Sequence, residues 1–415
     1  MPGIGEWFPS QRARTGIVGA GHRWDGKERG DLDVTSIMAG PEAFAHRRER
    51  LRTVLEEEGI DAILVTNLVN VRYLTGFTGS HAALLVASDQ HGGDRATVIA
   101  TDGRYTTQVA QQAPGLAVEM ARSGALRLAT LAAERFNGRL AFESGTVTVA
   151  QHEQLVGQAA GIELFGTRGI VEELRIVKDA AELASLEAAC GVADRALARL
   201  IDSGALRPGE PERLVARKLE WLMHEEGAEG IAFETIIAAG AHSAVPHHRP
   251  TDSLIERGDL VKMDFGAVVG GYHSDMTRTV VVGARPEPWQ QRIHDIVREA
   301  QEAGRAAAVE GGLTGDVDGA SRAVIAAAGH GDHFVHSTGH GVGLEIHEAP
   351  SVARNADGRL LCNTAITVEP GIYLPGRGGV RIEDTVVITA AVAEGMAGGG
   401  GPAVLTTTTR ELLAI

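Results

Sequence analysis

The sequence predicts two folded domains of different class: an α/β domain over residues 41–170 and an α+β domain over residues 171–415. Three observations support this. Between Pro41 and Thr167, strand-sized apolar runs alternate with helix-period segments. Beyond residue 211, helices and antiparallel hairpin patterns interleave instead. The length of 415 residues is itself that of two domains.

Residues 1–40 stand apart and read as a disordered N-terminal extension. Two of the four tryptophans, Trp7 and Trp24, fall there, and no period is sustained. Gly19-Ala20-Gly21 lacks the third glycine of a phosphate loop, Trp24 standing in its place, and no helix follows. Met38 is an alternative start for the native chain. A helix is expected over 41–59, with Pro at its start, Leu51, Val54 and Leu55 on one face, and Gly59 at its end. Strands follow at 62–66, 82–88 and 96–101, then a helix at 105–112 and a further strand–helix alternation to Thr167. Residues 172–201 read as one or two long helices linking the domains. A helix at 211–226 and a strand at 235–239 precede a hairpin over 260–282. Helices at 288–309 and 315–328 and strands at 365–369 and 380–389 come next. The stretch 398–401 reads as a flexible loop before a last strand at 403–407. No internal repeat of solenoid period is visible.

Composition narrows the function. Lys and Arg number 39 against 54 Asp and Glu, a net charge of −15, which excludes a generally basic nucleic-acid surface and gives no reason to expect membrane attachment. Cys190 and Cys362 are the only cysteines, too few for a disulfide framework, a cysteine zinc module or an iron–sulfur cluster. No apolar run is long enough to span a bilayer, and the N-terminus shows no secretory pattern, so a cytoplasmic setting is expected. Ten of the 16 histidines lie between His242 and His347, which marks that region for chemistry.

The hairpin is the most informative element. With Gly270-Gly271 as a two-residue turn, Asp264 faces Thr277 and Asp275 faces Gly266. Asp264 and Asp275 then point to one face as diagonal neighbours, about 7–8 Å apart, close enough to converge on an ion. The hairpin alone weighs evenly between that reading and two solvated strand aspartates. Later segments break the tie. His336 and His340 lie in the glycine-rich run 336–343, and His347 follows. Glu369 ends an apolar strand, and Glu383 lies within Arg381-Ile382-Glu383-Asp384. Asp264, Asp275, Glu369, Glu383 and His340 together carry four negative charges, which would cost several kcal/mol per buried ion without compensation. Two divalent cations balance them. Oxygen-rich ligation with one imidazole suits Mn²⁺ first, with Co²⁺ or Zn²⁺ as alternatives. Two such ions about 3.5–4 Å apart lower the pKa of a bridging water and polarise a carbonyl, the requirements of amide hydrolysis.

These motifs resemble those of the pita-bread metallopeptidases, which include Xaa-Pro aminopeptidases, Xaa-Pro dipeptidases (prolidases), methionine aminopeptidases and the metal-free creatinases. The resemblance runs from about residue 41 to the C-terminus. In the first domain it rests on Asn67-Leu68-Val69-Asn70-Val71-Arg72-Tyr73-Leu74-Thr75-Gly76-Phe77, which looks like the creatinase-type N-terminal domain. It implies a creatinase-like α/β domain over 41–170 and a pita-bread catalytic domain over 171–415. It also implies that Asp275 and Glu383 bridge two metal ions, that Asp264 chelates one and His340 the other, and that Glu369 is both ligand and general base toward the bridging water. His247, in His242-Ser243-Ala244-Val245-Pro246-His247-His248, matches a histidine contacting substrate near the scissile bond. His347 matches one that assists the tetrahedral intermediate, His336 a further pocket histidine, and Arg381 an arginine orienting ligands or substrate. Tyr373 is a weaker candidate. His242, His248 and Arg249 read equally as surface residues, His242 most of all.

The activity implied first is that of an Xaa-Pro aminopeptidase, releasing the residue ahead of a proline. The alternative is a prolidase restricted to dipeptides. No residue separates the two. The bond before proline is a tertiary amide without an N–H, so proteases that grip an extended backbone lose a donor there. Methionine aminopeptidases normally lack such an N-terminal domain, and creatinases and non-catalytic relatives lose metal ligands that are all present here. The expected partners are a peptide with proline second and further copies of the chain, as a homodimer or higher homo-oligomer.

Overall fold

The computed structural model describes residues 39–390 and 401–415. The expected N-terminal extension up to residue 38 and the expected loop up to residue 400 lie outside the described residues. The chain divides between Ile176 and Val177 into two units, each with its own core.

The first unit opens on α1 (Pro41–Glu57), with Pro at its first position and Leu51 and Leu55 fully buried. A six-stranded mixed sheet follows, built from β1 (Ala62–Val65), β2 (Ala82–Ala87), β3 (Val98–Thr101), β4 (Ala117–Met120), β5 (Arg139–Glu143) and β6 (Glu163–Thr167). Its order is β4-β3-β2-β1-β5-β6, with β2 antiparallel to both neighbours and the other pairs parallel. β1 is buried along its whole length, which explains its unbroken apolar run. The helices after α1 are α2 (Leu68–Thr75), α3 (Thr106–Gln112), α4 (Gly124–Arg135), α5 (Val149–Gln158) and α6 (Ile170–Ile176). Helix α2 was not expected from periodicity, because it has only eight residues. Its ends carry the signal instead: the Asn67 side chain accepts from the Val69 N–H, and Gly76 closes the helix at φ 78°. Asn70 of α2 donates to Glu143 and accepts from Arg175 of α6. That buried network joins α6 to α2 and β5 within the first unit.

In the second unit the long helical stretch is broken at 177–179. Asp179 caps α7 (Ala180–Asp202) through a reciprocal box with Glu182. Then come α8 (Glu212–Glu225), β7 (Gly230–Ile231), β8 (Ile236–Ala239), β9 (Leu260–Phe265), β10 (Ala267–Val269), β11 (Tyr272–His273) and β12 (Met276–Val281). Helices α9 (Pro288–Ala307) and α10 (Thr314–Ala327) pack together, followed by β13 (Gly339–Gly341), β14 (Glu348–Val352), β15 (Ala365–Val368), β16 (Gly371–Leu374), β17 (Gly378–Arg381), β18 (Asp384–Val387) and β19 (Ala403–Val404). The sheets are β12-β9-β8, β11-β10-β7, β14-β13-β15-β18-β19 and β16-β17. Leu197, Leu219, Met263 and Phe265 centre one core, and Ile293, Val297, Ile325, Ile372 and Val380 a second. Among the described residues no helix is long and apolar enough to cross a membrane. Both cysteines are free.

The hairpin has the expected register, with Asp264 opposite Thr277 and Val268 opposite His273, and both turn glycines have positive φ. It is not continuous, however. It bends at Gly266 and contributes to two different sheets, leaving Ser274 and Asp275 between strands. A Cβ on Gly266 would lie 1.9 Å from the Ser274 carbonyl oxygen, so only glycine permits the crossing. The expected strand over 380–389 is likewise divided, at Ile382-Glu383, because β17 and β18 belong to different sheets. Gly266→Ala is therefore expected to cost about 1–3 kcal/mol through overpacking. The check is the urea midpoint of unfolding: a clear drop is expected, and a midpoint equal to wild type would mean that the bend relaxes freely.

Candidate metal centre

Three of the four acidic side chains reach the site from places where regular structure stops. Asp275 sits in the gap between β11 and β12, Glu383 in the gap between β17 and β18, and Glu369 one residue past β15. Asp264 comes from within β9, and His340 from the middle of β13. Irregular backbone aims side chains that a straight ladder would send to alternate faces. Asp275, His340 and Glu383 each offer a ligand atom within 4.8 Å of the others. His340 Nε2 is 3.6 Å from both an Asp275 and a Glu369 oxygen. Arg381 ties in the rest: it contacts Asp264, lies 3.8 Å from Glu369, and donates to Thr277 Oγ1 at 2.9 Å. Thr277 in turn donates to Glu383 at 2.7 Å.

Three observations fit this group to divalent cations. The first is electrostatic. Burial, followed by repulsion from Glu383, pushes Asp275 well above the usual carboxylate range. Burial and the Glu369 charge do the same to Glu383. Burial raises Glu369 to about 8, against the opposing pull of Arg381. Carboxyls so destabilised as anions need positive charge among them. The second is the tautomer of His340. Its Nδ1 faces the Gly341 carbonyl at 3.0 Å, which assigns the proton there. The bare Nε2 lone pair therefore faces two carboxylates, an arrangement suited to a cation between them. Burial also lowers His340 to about 4, which keeps it neutral at pH 7. The third is Asp264 Oδ1, buried with no hydrogen-bond partner among the described residues.

The remaining candidates surround this centre. The His347 ring packs edge-to-face on His340, with centroids 4.4 Å apart. His336 Nδ1 donates to the Ser337 carbonyl, so its Nε2 accepts from the Tyr373 hydroxyl at 2.7 Å. Tyr373 Oη in turn accepts from Arg381 at 2.9 Å. Burial lowers His336 to about 3 and raises Tyr373 to about 12, so both stay neutral. His247 is exposed, and no hydrogen bond holds its ring among the described residues. Burial of part of its surface, then Arg381, lowers its pKa.

Sequence reasoning missed three contributors. Thr277 was visible as the partner of Asp264 across the hairpin, without a role. Lys262 is fully buried two residues before Asp264 and donates to the Val245 and Pro246 carbonyls at 2.6 and 2.9 Å. A lone lysine in an apolar strand was the available signal. Glu212 is also fully buried. Both histidines that the sequence left open to a surface reading donate to its carboxylate at 2.9 Å, His248 largely buried and His242 with its side chain 38% exposed. Arg249 is exposed, paired with Glu234.

Comparison with known proteins agrees with this architecture. Residues 184–390 match metallopeptidase family M24, and residues 47–177 match the creatinase/prolidase N-terminal domain. An Xaa-Pro dipeptidase of Pyrococcus furiosus is 38% identical over 83% of this chain and 95% of its own length. The structure of an Xaa-Pro dipeptidase from Bacillus anthracis superposes with a TM-score of 0.82 at 37% identity, covering 90% of this chain and all of that one. An X-Pro aminopeptidase from Thermotoga maritima gives a TM-score of 0.78 at 34% identity, covering 89% of this chain and 99% of that one. With a creatinase-type domain ahead of a pita-bread domain, this chain belongs to metallopeptidase family M24 and is a peptide-bond hydrolase.

Proposed function

We propose that this chain is an Xaa-Pro dipeptidase, hydrolysing dipeptides with proline second by means of two divalent cations. The geometry that carries the hydrolytic reading is the neutral His340 lone pair facing buried carboxylates. The choice of substrate length reverses the order reached from sequence, where the aminopeptidase came first. It rests on relatives named Xaa-Pro dipeptidase that are 38% and 37% identical and covered over 95% and 94% of their lengths. The likeness to the X-Pro aminopeptidase from Thermotoga maritima keeps that activity as the second reading.

In this reading Asp264, Asp275, His340, Glu369 and Glu383 hold the cations, Mn²⁺ first, with Co²⁺ or Zn²⁺ as alternatives. When bound, the cations supply an activated water and polarise the scissile carbonyl. Glu369 accepts the proton of the attacking water on a carboxylate oxygen. The His347 ring donates toward the oxygen that becomes negative. His247 contacts the substrate beside the scissile bond, with a ring that no hydrogen bond among the described residues diverts. Arg381 keeps Asp264 and Tyr373 aligned, and His336 extends that line to the pocket wall. None of these contacts needs an N–H from the substrate's proline.

Three outcomes are expected. First, cation binding displaces protons, because Glu369 without cations titrates near 8 and is largely protonated at lower pH. Affinity then rises with pH through the range in which Glu369 loses its proton. Proton release on Mn²⁺ titration should be larger at pH 6.5 than at pH 8.5; equal release would count against the assignment. Second, Glu369→Gln should lower kcat about 10²–10⁴-fold with the fold intact, since it removes the base. Steady-state kinetics with circular dichroism checks this. Third, the manganese-loaded enzyme should cleave an Xaa-Pro dipeptide and spare an Xaa-Pro-Yaa tripeptide, with activity lost in EDTA. Release of Xaa from the tripeptide would instead establish the aminopeptidase.

A further inference from the structure

The loop carrying His247 runs from Ala239, at the end of β8, to Thr251. It has little regular structure beyond one short 3₁₀ turn at Gly240–Ala244. Such a segment ordinarily wanders, yet here its two ends and its middle are tied to buried polar side chains. Glu212, the first residue of α8, is fully buried behind it. One carboxylate oxygen accepts from the Ala239 N–H and from His242 Nδ1, both at 2.9 Å. The other accepts from His248 Nε2 at 2.9 Å, the Thr251 N–H at 3.0 Å and the Thr251 hydroxyl at 2.8 Å. The His242 and His248 rings stack, with centroids 4.3 Å apart. From the opposite side, Lys262 holds the Val245 and Pro246 carbonyls.

We propose that Glu212 is a positioning residue that acts through His247, clasping the loop at Ala239, His242, His248 and Thr251 so that the unpaired His247 ring is presented at a fixed place. The proposal rests on the reading of His247 as a substrate contact. The three side chains Glu212, His242 and His248 also bring ligand atoms within 4.8 Å of one another. The donor set argues for a clasp and against a cation site. Five hydrogen bonds already fill both carboxylate oxygens, two of them from backbone N–H groups that no cation could replace. The Glu212 carboxylate and the Lys262 amine hold the backbone from two sides, and of the loop's three imidazoles the one left without a hydrogen bond among the described residues is the one the reaction would use. Backbone order paid in advance is what a substrate-contacting side chain on a loop requires.

The test is a double-mutant cycle on the full-length, manganese-loaded enzyme with an Xaa-Pro dipeptide. Glu212→Gln replaces an acceptor oxygen with an NH₂ that faces existing donors. It should lower kcat/KM about 10–100-fold, dividing the loss between kcat and KM in the same proportion as His247→Ala. The double variant should be no worse than His247→Ala alone within about twofold, because the clasp matters only through that ring. Bound manganese should stay at the wild-type level. Amide exchange should speed up at Ala239 and Thr251 and stay unchanged in β9 and β12. His248→Gln, which releases one arm, should follow the same cycle with a smaller loss, and decides the matter if Glu212→Gln does not fold. If Glu212→Gln adds its full loss on top of His247→Ala, the positioning role is overturned while the His247 reading stands. If His247→Ala keeps wild-type kcat/KM, the His247 reading fails and takes this proposal with it.

Discussion

Four carboxylates that must converge in a largely buried place set the terms for the second unit. Each such anion loses several kcal/mol of hydration, and their mutual repulsion adds to this. Burial and repulsion accordingly raise Asp275 and Glu383 far above the ordinary carboxylate range. A fold that keeps this cluster has to supply positive charge and has to hold the backbone against repulsion. Arg381, fully buried, reaches Asp264, Glu369 and, through Thr277, Glu383. Divalent cations are the natural complement to what one arginine leaves unbalanced.

Rigidity around Glu383 comes from a second buried network. Asp384, its neighbour, accepts from Arg278 at 2.8 Å, Gln301 at 2.6 Å and Thr406 at 2.7 Å. Burial alone would raise its pKa, but Arg278 and Arg410 hold it below the usual value. Arg278 also donates to the Glu383 carbonyl. The backbone on either side of Glu383 is thus fixed from helix α9, strand β12 and the C-terminal segment together. The loop of His247 is held by the same device, a buried accepting carboxylate at Glu212, with the buried Lys262 amine donating to the loop from the other side. Fully satisfied buried polar groups of this kind specify one arrangement, because any other leaves a charge unpaired.

The hairpin shows how far local pattern reaches. Its turn and register follow from Gly270-Gly271 and period-two alternation, so the pairing of Asp264 with Thr277 could be read directly. Its bend could not, because the reason for it is the approach of Gly266 to the Ser274 carbonyl, a consequence of joining two sheets. The same is true of the division at Ile382-Glu383. Helix α2 was hidden for the opposite reason: eight residues are too few for periodicity, although its caps at Asn67 and Gly76 were present in the sequence.

Residue types, their order and the strand pairing near the turn are determined by the sequence itself, because alternation, turn chemistry and the charge balance of an ion cluster depend on nearby residues or on composition. The site candidates Asp264, Asp275, Glu369, Glu383 and His340 could be named on those grounds. The tertiary structure decided where strands break to aim those side chains, which tautomer His340 adopts, and that His242 and His248 both meet Glu212. Glu212 meets His242 and His248 across 30 and 36 residues of chain. No local pattern encodes contacts of that range, because they exist only once α8, β8 and the loop between β8 and β9 are packed around one buried carboxylate.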